Sequence, residues 1–368
     1  MKDSTLPVRR LPCAAGNVDR VEVGAELLLI EGWIFLPGSP FDEVHVHWEN
    51  ELLGKAETRH RPDVAAVHPW VPHAGGSGFF LECPRPRESG SRLCEIRIVG
   101  RREGKSCAEL STPAPLQGSD PGPLPPPELI EKVGSPDERA YRAQGLKLFH
   151  DLLRALGRHT SLETIRSMLD WGCGCARVAV HFLRLPEGPK VFGCDVVVES
   201  IQWCQHNLPQ GRFSVIDFFP PTQYQEGQFD LIIGCSVLTH LTEDMQRRWL
   251  AEIRRILAPG GWLLASTLGE HAFRAVVEGD LSRPGFWRRA SSPETRRRDQ
   301  VLKAWNERGF VDERENRSLE GSLPRGLYRN VYQTRQATER ICSETFEVAE
   351  HIELGMGSYQ DLAVLRRR

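Results

Sequence analysis

The stretch Ser167-Met-Leu-Asp-Trp-Gly-Cys-Gly-Cys175 decides how this chain is read. A short apolar pair, Met168 and Leu169, leads to an acid at Asp170. Glycines follow at alternate positions, Gly172 and Gly174, and a helix-compatible run opens at Ala176. Strand, glycine turn and helix, in that order, build a crevice at the carboxyl end of the first strand of an open α/β sheet. Glycine lets a ligand approach the main chain closely, and the helix behind it offers unpaired N–H groups and its positive end. A dinucleotide fingerprint, Gly-x-Gly-x-x-Gly, requires glycine at 177, where the chain has Arg177. It does not call for an acid ahead of the first glycine either.

Downstream, Lys190-Val-Phe-Gly-Cys-Asp195 reads as a second strand ending on an acid. Asp195 lies roughly 20 residues past the glycines, the separation at which an acid reaches ribose hydroxyls across the switch point. A carboxylate suits that task because it accepts from both hydroxyls. Gly211 to Asp217 reads as a third strand, closed by Asp217-Phe218, and Gln228 to Gly234 as a central fourth. Asp244 to Leu257 has apolar positions at helical spacing (Met245, Trp249, Leu250, Ile253, Leu257) and is stopped by Pro259-Gly260-Gly261 before a fifth strand, Trp262 to Thr267. Thr345–Glu353 and Gln360–Arg367 are strand-like, and a connection as short as Leu354-Gly-Met-Gly-Ser358 requires them to be antiparallel. Between the fifth strand and this pair, Gly269 to Gln336 reads as long and irregular, with Arg283, Arg288, Arg289 and Arg296 to Arg298. Such a segment suits a substrate lid whose arginines either meet an anionic acceptor or form a solvated face.

Upstream, Glu128 to His159 is helix-forming, with Tyr141, Leu146, Phe149, Leu152, Leu153 and Leu156 on one face. It is expected to pack on the sheet, with Tyr141 a candidate at the ligand. Before it, Ser111 to Pro127 holds seven prolines and two glycines, a stiff exposed connector. Residues 17 to 112 carry short β-rich runs (Glu26–Leu36, Glu43–Trp48, Gly78–Cys83, Cys94–Val99) broken by turns such as Pro37-Gly-Ser-Pro40, the pattern of an antiparallel sandwich. The expected division is therefore an all-β domain over 1–112, a linker over 113–127 and an α/β domain over 128–368. The first domain reads equally as a module that binds an acceptor or partner and as a stabilising or dimerising one. His45, His47, His60, His68 and His73 are read as scattered surface residues, not a metal site.

The 368 residues carry a formal charge of −2, which gives no global attraction to nucleic acid or anionic membrane. No apolar run approaches the ~20 residues of a membrane span. Met1 to Arg10 lacks the apolar core of a secretory signal, so ten cysteines read as reduced thiols of a cytoplasmic protein. Cys173-Gly-Cys175 has one intervening residue, too few for a zinc pair, and no metal is expected.

Asp170-Trp-Gly-Cys-Gly174, Gly193-Cys-Asp195, Ile216-Asp-Phe218, Phe229-Asp-Leu-Ile-Ile233 and Leu257-Ala-Pro-Gly-Gly261, in this order, resemble the class I S-adenosylmethionine-dependent methyltransferases across residues 128–368. Pro125 to Val133, Ile201-Gln-Trp-Cys204 with Asn207-Leu208, and Ser236-Val-Leu-Thr-His-Leu241 resemble the bacterial small-molecule or glycan type. Arg61-Pro-Asp-Val64 with Gly76-Ser-Gly-Phe79 resembles small β domains that precede glycosyltransferase or methyltransferase modules. The resemblance implies a Rossmann-like seven-stranded sheet, mostly parallel with an antiparallel last strand, and S-adenosyl-L-methionine as cofactor. It implies a cofactor site of Asp170, Gly172, Cys173, Gly174, Asp195, Val196, Asp217, Phe218 and Cys235, with Asp217 taking the adenine amino group and Phe218 flanking the ring. Tyr141, Glu270 and Tyr328 would face the acceptor. One departure is Ala176 at the third glycine position, which removes a freely adopted φ.

Methyl transfer from a sulfonium is an in-line displacement that relies on positioning and exclusion of water. A hydroxyl acceptor also needs a base, and His240, just past the fourth strand, is the first candidate. The alternative role for His240 is to orient the loop or the cofactor; His271, beside Glu270, is the second candidate base. The expected activity is O-methylation of a sugar, glycan or secondary metabolite. The alternatives are N-methylation of a small molecule or peptide-type product and an inactive cofactor-binding scaffold, with an NAD-dependent oxidoreductase a distant third because of Arg177. Base methylation in nucleic acid usually uses Asn/Asp-Pro-Pro-Tyr/Phe after the fourth strand, where this chain reads Gly234-Cys-Ser-Val237. The expected partners are a small-molecule or glycan acceptor and a second copy of the chain, without nucleic acid or membrane.

Overall fold

The computed structural model describes residues 15–23, 26–36, 38, 40–67, 71–86, 93–115, 122–133, 135, 137–185, 187–277, 295–315, 319, 323, 326–357 and 359–368. The chain divides into two compact units, Met1–Ser119 and Asp120–Arg368.

The first unit holds β1 (Ala15–Val23), β2 (Leu27–Phe35), β3 (Glu43–Trp48), β4 (Glu51–Lys55), β5 (Glu57–Arg59), α1 (Pro62–Val67), β6 (Gly78–Pro84), β7 (Leu93–Arg102) and β8 (Lys105–Pro115). They form two four-stranded antiparallel sheets, ordered β1-β2-β6-β5 and β4-β3-β7-β8. Alternate residues of both sheets, among them Leu28, Ile30, Val46, Trp48, Phe79, Ile96, Ile98 and Leu110, share one buried cluster. That is the period-2 burial of sheets with one wet face. Strand β8 runs on through Pro115, so the chain is still paired where the sequence places the start of the linker at 113. Prolines at its end are tolerated because β8 is an edge strand. Arg61 ties Asp19 to Asp63, at 2.5 and 2.6 Å. His45 pairs with Glu43 and His73 with the Leu36 carbonyl, each at 3.0 Å. Among the described residues no group of three or more His, Cys, Asp or Glu is placed to hold a metal ion. His68, Pro37 and Ser39 lie outside the described residues.

The second unit contains α2 (Pro127–Lys132), α3 (Glu138–Leu156), β9 (Ser167–Trp171), α4 (Ala179–Leu183), β10 (Lys190–Asp195), α5 (Val198–Asn207), β11 (Arg212–Val215) and β12 (Phe229–Gly234). It continues with α6 (Glu243–Ile256), β13 (Leu257–Thr267), α7 (Glu270–Val277), α8 (Thr295–Arg308), β14 (Phe310–Glu315), β15 (Arg329–Gln333), α9 (Arg335–Ser343), β16 (Glu347–Met356) and β17 (Gln360–Arg366). Seven strands form one sheet in the order β11-β10-β9-β12-β13-β17-β16. The first five are mutually parallel, and β17 is antiparallel to both its neighbours. The order reverses between β9 and β12, which puts the switch point at the glycine turn.

Strands β9 and β12 are buried almost throughout, as the middle of a sheet covered on both faces must be. Helix α6 starts where the Thr242 hydroxyl caps the Met245 N–H, and buries Met245, Trp249, Leu250, Ile253 and Ile256 against the sheet. The helical stretch expected over Glu128–His159 is two helices, because Asp137 caps a new one through the Ala140 N–H at 2.7 Å. The segment expected to be irregular carries α7, α8 and a β14–β15 hairpin that is joined to the end of β13 by a Leu268–Tyr332 bridge. Arg283, Arg288, Arg289 and Ser358 lie outside the described residues, while Arg296 to Arg298 fall on α8.

Candidate active site

The turn after β9 folds back on β10: Gly172 N–H and Cys173 N–H both donate to the Cys194 carbonyl, at 2.8 and 3.0 Å. Gly172 and Gly174 adopt φ of +74° and +50°. A Cβ on Gly172 would lie 2.5 Å from Val237, so glycine is required there by conformation and by space. Ala176 has the same left-handed conformation, φ +57°, without glycine's freedom. The helix consequently does not begin at Ala176 as expected but at Ala179, and α4 lasts five residues.

Asp170 is buried beneath this turn and accepts from the Ala179 main-chain N–H. Burial pushes its carboxyl up to about 7. Asp195 sits across from it at the end of β10. Its Oδ2 accepts from Gly174 N–H at 2.8 Å and its Oδ1 from Val197 N–H at 2.9 Å. Burial raises its pKa as well, opposed by these backbone bonds. Each oxygen keeps further lone-pair capacity. Val196 packs half-buried against the core.

The Cys173 and Cys235 thiols are held well above their ordinary pKa by burial, which keeps both neutral. Asp217 is exposed beyond β11, and its Oδ1 accepts from Phe219 N–H at 3.1 Å. Phe218 is not at the surface. It belongs to the core, where its carbonyl accepts from Trp249 Nε1 at 3.0 Å. Phe219 is the exposed ring, 45% accessible, with Val198 and Val215 also open at this end of the sheet. Sequence reasoning missed Phe219, and nothing in two adjacent phenylalanines signals which one turns inward.

Tyr141 is buried, and its hydroxyl donates to the Cys175 carbonyl at 3.1 Å. Burial raises its pKa. It braces the turn from α3. Arg177 was another residue the sequence reading did not assign. Its guanidinium reaches Gln144 Oε1 at 2.9 Å, Ser135 Oγ at 3.2 Å and the Val133 carbonyl at 3.4 Å.

On the other side of the switch point, a one-turn helix, Leu238–His240, follows β12. His240 Nδ1 donates to the Arg329 carbonyl at 2.7 Å, and its ring stacks on Tyr328 with centroids 4.0 Å apart. Burial lowers its pKa to about 4. Structure thus brings His240 and Tyr328 into contact. Glu270 and His271 open α7, beyond the neighbouring strand β13. Glu270 is exposed and paired with Arg274 at 2.5 Å, while His271 meets Tyr359 edge-on at 6.3 Å.

Residues 168–261 match the family described as methyltransferase domain. A probable methyltransferase of Aspergillus luteorubrus is 26% identical over 135 residues, 33% of this chain and 47% of that protein. Ribosomal RNA small subunit methyltransferase C of Alcanivorax borkumensis is 33% identical over 124 residues, 31% of this chain and 36% of that protein. The chain thus spans less than half the length of these curated relatives. A solved SAM-dependent methyltransferase of Methanosarcina mazei is 16% identical, with a TM-score of 0.39 covering 58% of this chain and 96% of that one. Among the described residues no helix is long and apolar enough to cross a membrane.

Proposed function

We propose that the chain is an S-adenosylmethionine-dependent methyltransferase that methylates a hydroxyl group of a sugar, glycan or secondary metabolite. The observation that carries the reading is the Gly174–Asp195 bond of 2.8 Å, inside the segment that matches the methyltransferase-domain family. It sets a glycine turn and a ribose-type acid against each other at the switch point of a doubly wound sheet.

The residues present fit such a cofactor. Gly172 and Gly174 let the main chain turn at positive φ beneath Val237 and Val133, and Asp195 has lone pairs for ribose hydroxyls. Exposed Phe219, Val198 and Val215 offer apolar surface for a purine, beside the carboxylate of Asp217. The cofactor, when bound, supplies an electrophilic methyl on sulfur. The chain's part is to hold the acceptor in line, exclude water and take the acceptor's proton.

His240 suits the last task. A carbonyl can only accept, so the bond to Arg329 puts the ring proton on Nδ1 and leaves the Nε2 lone pair as the base. It is unprotonated at neutral pH, and the burial that lowers its pKa to about 4 also makes it a weaker base than a free imidazole. The stacked Tyr328 fixes the ring plane. Proton transfer by such a group contributes roughly 10²–10⁴-fold.

The test is transfer of a trideuteromethyl group from labelled S-adenosylmethionine to fractionated small molecules and glycans from the source cells. A product carrying the label on oxygen is expected. Label on nitrogen would move the reading to N-methylation. No binding of S-adenosylhomocysteine would remove the methyltransferase reading.

A further inference from the structure

Ser236 lies two residues beyond β12 and four before His240, at φ +60°. That conformation disfavours a residue with a Cβ, and it is held at three points. Ser236 N–H donates to Ser266 Oγ at 2.8 Å, its carbonyl accepts from Thr239 Oγ1 at 2.7 Å, and its hydroxyl oxygen accepts from Gln360 Nε2 at 2.7 Å. Ser266, fully buried at the end of β13, anchors the first bond. Gln360 opens β17, the antiparallel strand beside β13, so its side chain crosses β13 to reach Ser236. The other end of the same amide, Oε1, is buried and has no hydrogen-bond partner among the described residues.

A buried amide oxygen left without a donor is costly, and a glutamine spanning a strand to brace a strained serine is an arrangement that ordinary packing does not need. We infer that Gln360, braced by Ser236, orients the acceptor, which presents a second hydroxyl to Gln360 Oε1 while the first is deprotonated by His240. This rests on the hydroxyl-directed reading above and narrows it: the acceptor is polyhydroxylated, as a sugar or polyol is. The Ser236 hydroxyl proton is not used in accepting from Gln360 and is available to an oxygen of the same acceptor. Gln360 and Ser236 are specificity and positioning residues. No proton passes through them.

The experiment uses the full chain with two substitutions. Gln360→Met keeps the length and removes both hydrogen-bonding groups, and Gln360→Glu keeps an acceptor oxygen at the same place. S-adenosylhomocysteine binding is measured by calorimetry, and transfer from trideuteromethyl S-adenosylmethionine is measured against a pool of small polyols and glycosides. Both variants are expected to bind S-adenosylhomocysteine within about twofold of the parent. Gln360→Met should raise the apparent KM of the labelled products about tenfold with the saturating rate nearly kept, the signature of a lost uniform binding contact, and Gln360→Glu should restore most of it.

Labelling unaffected by Gln360→Met would overturn the inference while leaving the methyltransferase reading standing. So would a loss confined to the saturating rate, or one shared by Gln360→Glu. A parent chain that binds S-adenosylhomocysteine but labels only compounds with a single hydroxyl, or none of the pool, would also overturn it. A parent that binds no S-adenosylhomocysteine would remove both readings together.

Discussion

His240 Nδ1 lies 2.7 Å from the main-chain carbonyl of Arg329, which joins the loop after β12 to the first residue of β15. The bond fixes the tautomer, and burial of the ring lowers its pKa to about 4. A base must be unprotonated to act, so its activity is present above its pKa and lost as pH falls through it. The rate of methyl transfer should therefore stay level from pH 8 to about 6, with its acid limb near 4, not near the unperturbed 6.5. His240→Ala should reduce kcat by roughly 10²–10⁴-fold with S-adenosylhomocysteine affinity kept. Full turnover in this variant would end its assignment as base.

Asp195→Ala removes acceptors for both Gly174 N–H and Val197 N–H. Charge-assisted bonds of this kind are worth about 1.5–3 kcal/mol each. Calorimetry should show S-adenosylhomocysteine binding weakened at least tenfold, and a lower Tm. Unchanged affinity would detach Asp195 from the ribose.

The adjacent phenylalanines should behave oppositely. Phe218→Ala empties a core site and should cost about 3–5 kcal/mol in denaturant unfolding. Phe219→Ala removes an exposed ring, should leave stability within about 0.5 kcal/mol, and should weaken S-adenosylhomocysteine several-fold. Loss of stability at 219 with no change in binding would contradict this division.

Ala176 offers a gain. A side-chain-bearing residue at φ +57° is strained by about 1–2 kcal/mol relative to glycine, which has no Cβ to clash. Ala176→Gly should raise the thermal midpoint, less the small packing of one buried methyl. A clear fall in Tm would show that the methyl matters more than the backbone.

Acid should act through buried histidines. His181 is lowered by burial to about 3, and His150 lies well below its ordinary value for the same reason. Both stay neutral when folded and gain a proton on unfolding below about 6.5. Their contribution is present above pH 6.5 and is lost as pH falls towards the folded values, at about 1.4 kcal/mol per pH unit for each. Asp170, raised to about 7, works in the opposite sense between 7 and its unfolded value of ~3.9. Replacing His181 by Gln should flatten the pH dependence of the urea midpoint between 6 and 4.5. A slope identical to the parent's would show that His181 takes up no proton on unfolding.

In the second unit the ends of β9 and β10 were legible because the glycine turn and Asp195 lie there, where chemistry and chain direction meet; Leu257–Gly261, read as a stop before a strand at Trp262, is already the start of β13. In the first unit β2, β3, β6 and β7 were legible as β-rich runs, with alternation clear in Val44-His-Val-His-Trp48, whereas β1, β4, β5 and β8 were not named. Other features depended on contacts distant in sequence. Whether Phe218 or Phe219 is buried is decided by Trp249, some thirty positions away on α6. The β14–β15 hairpin is rich in charge, and it pairs with the end of β13 through Leu268 and Tyr332. The Gln360–Ser236 bond joins residues 124 positions apart, which no local pattern encodes.

The turn at Gly172–Ala176 is braced by residues that precede the matched segment. Tyr141 donates to Cys175, Arg177 reaches back to Val133 and Ser135, and Arg142 bonds the Gly122 carbonyl. A fragment cut at Met168, where the family match begins, would keep all of β9 but Ser167, and both turn glycines, Gly172 and Gly174, and yet lose these braces. Anyone dissecting the protein should begin the second unit ahead of Gly122, because the smallest piece that looks like a complete site is shorter than the smallest piece that can hold its shape.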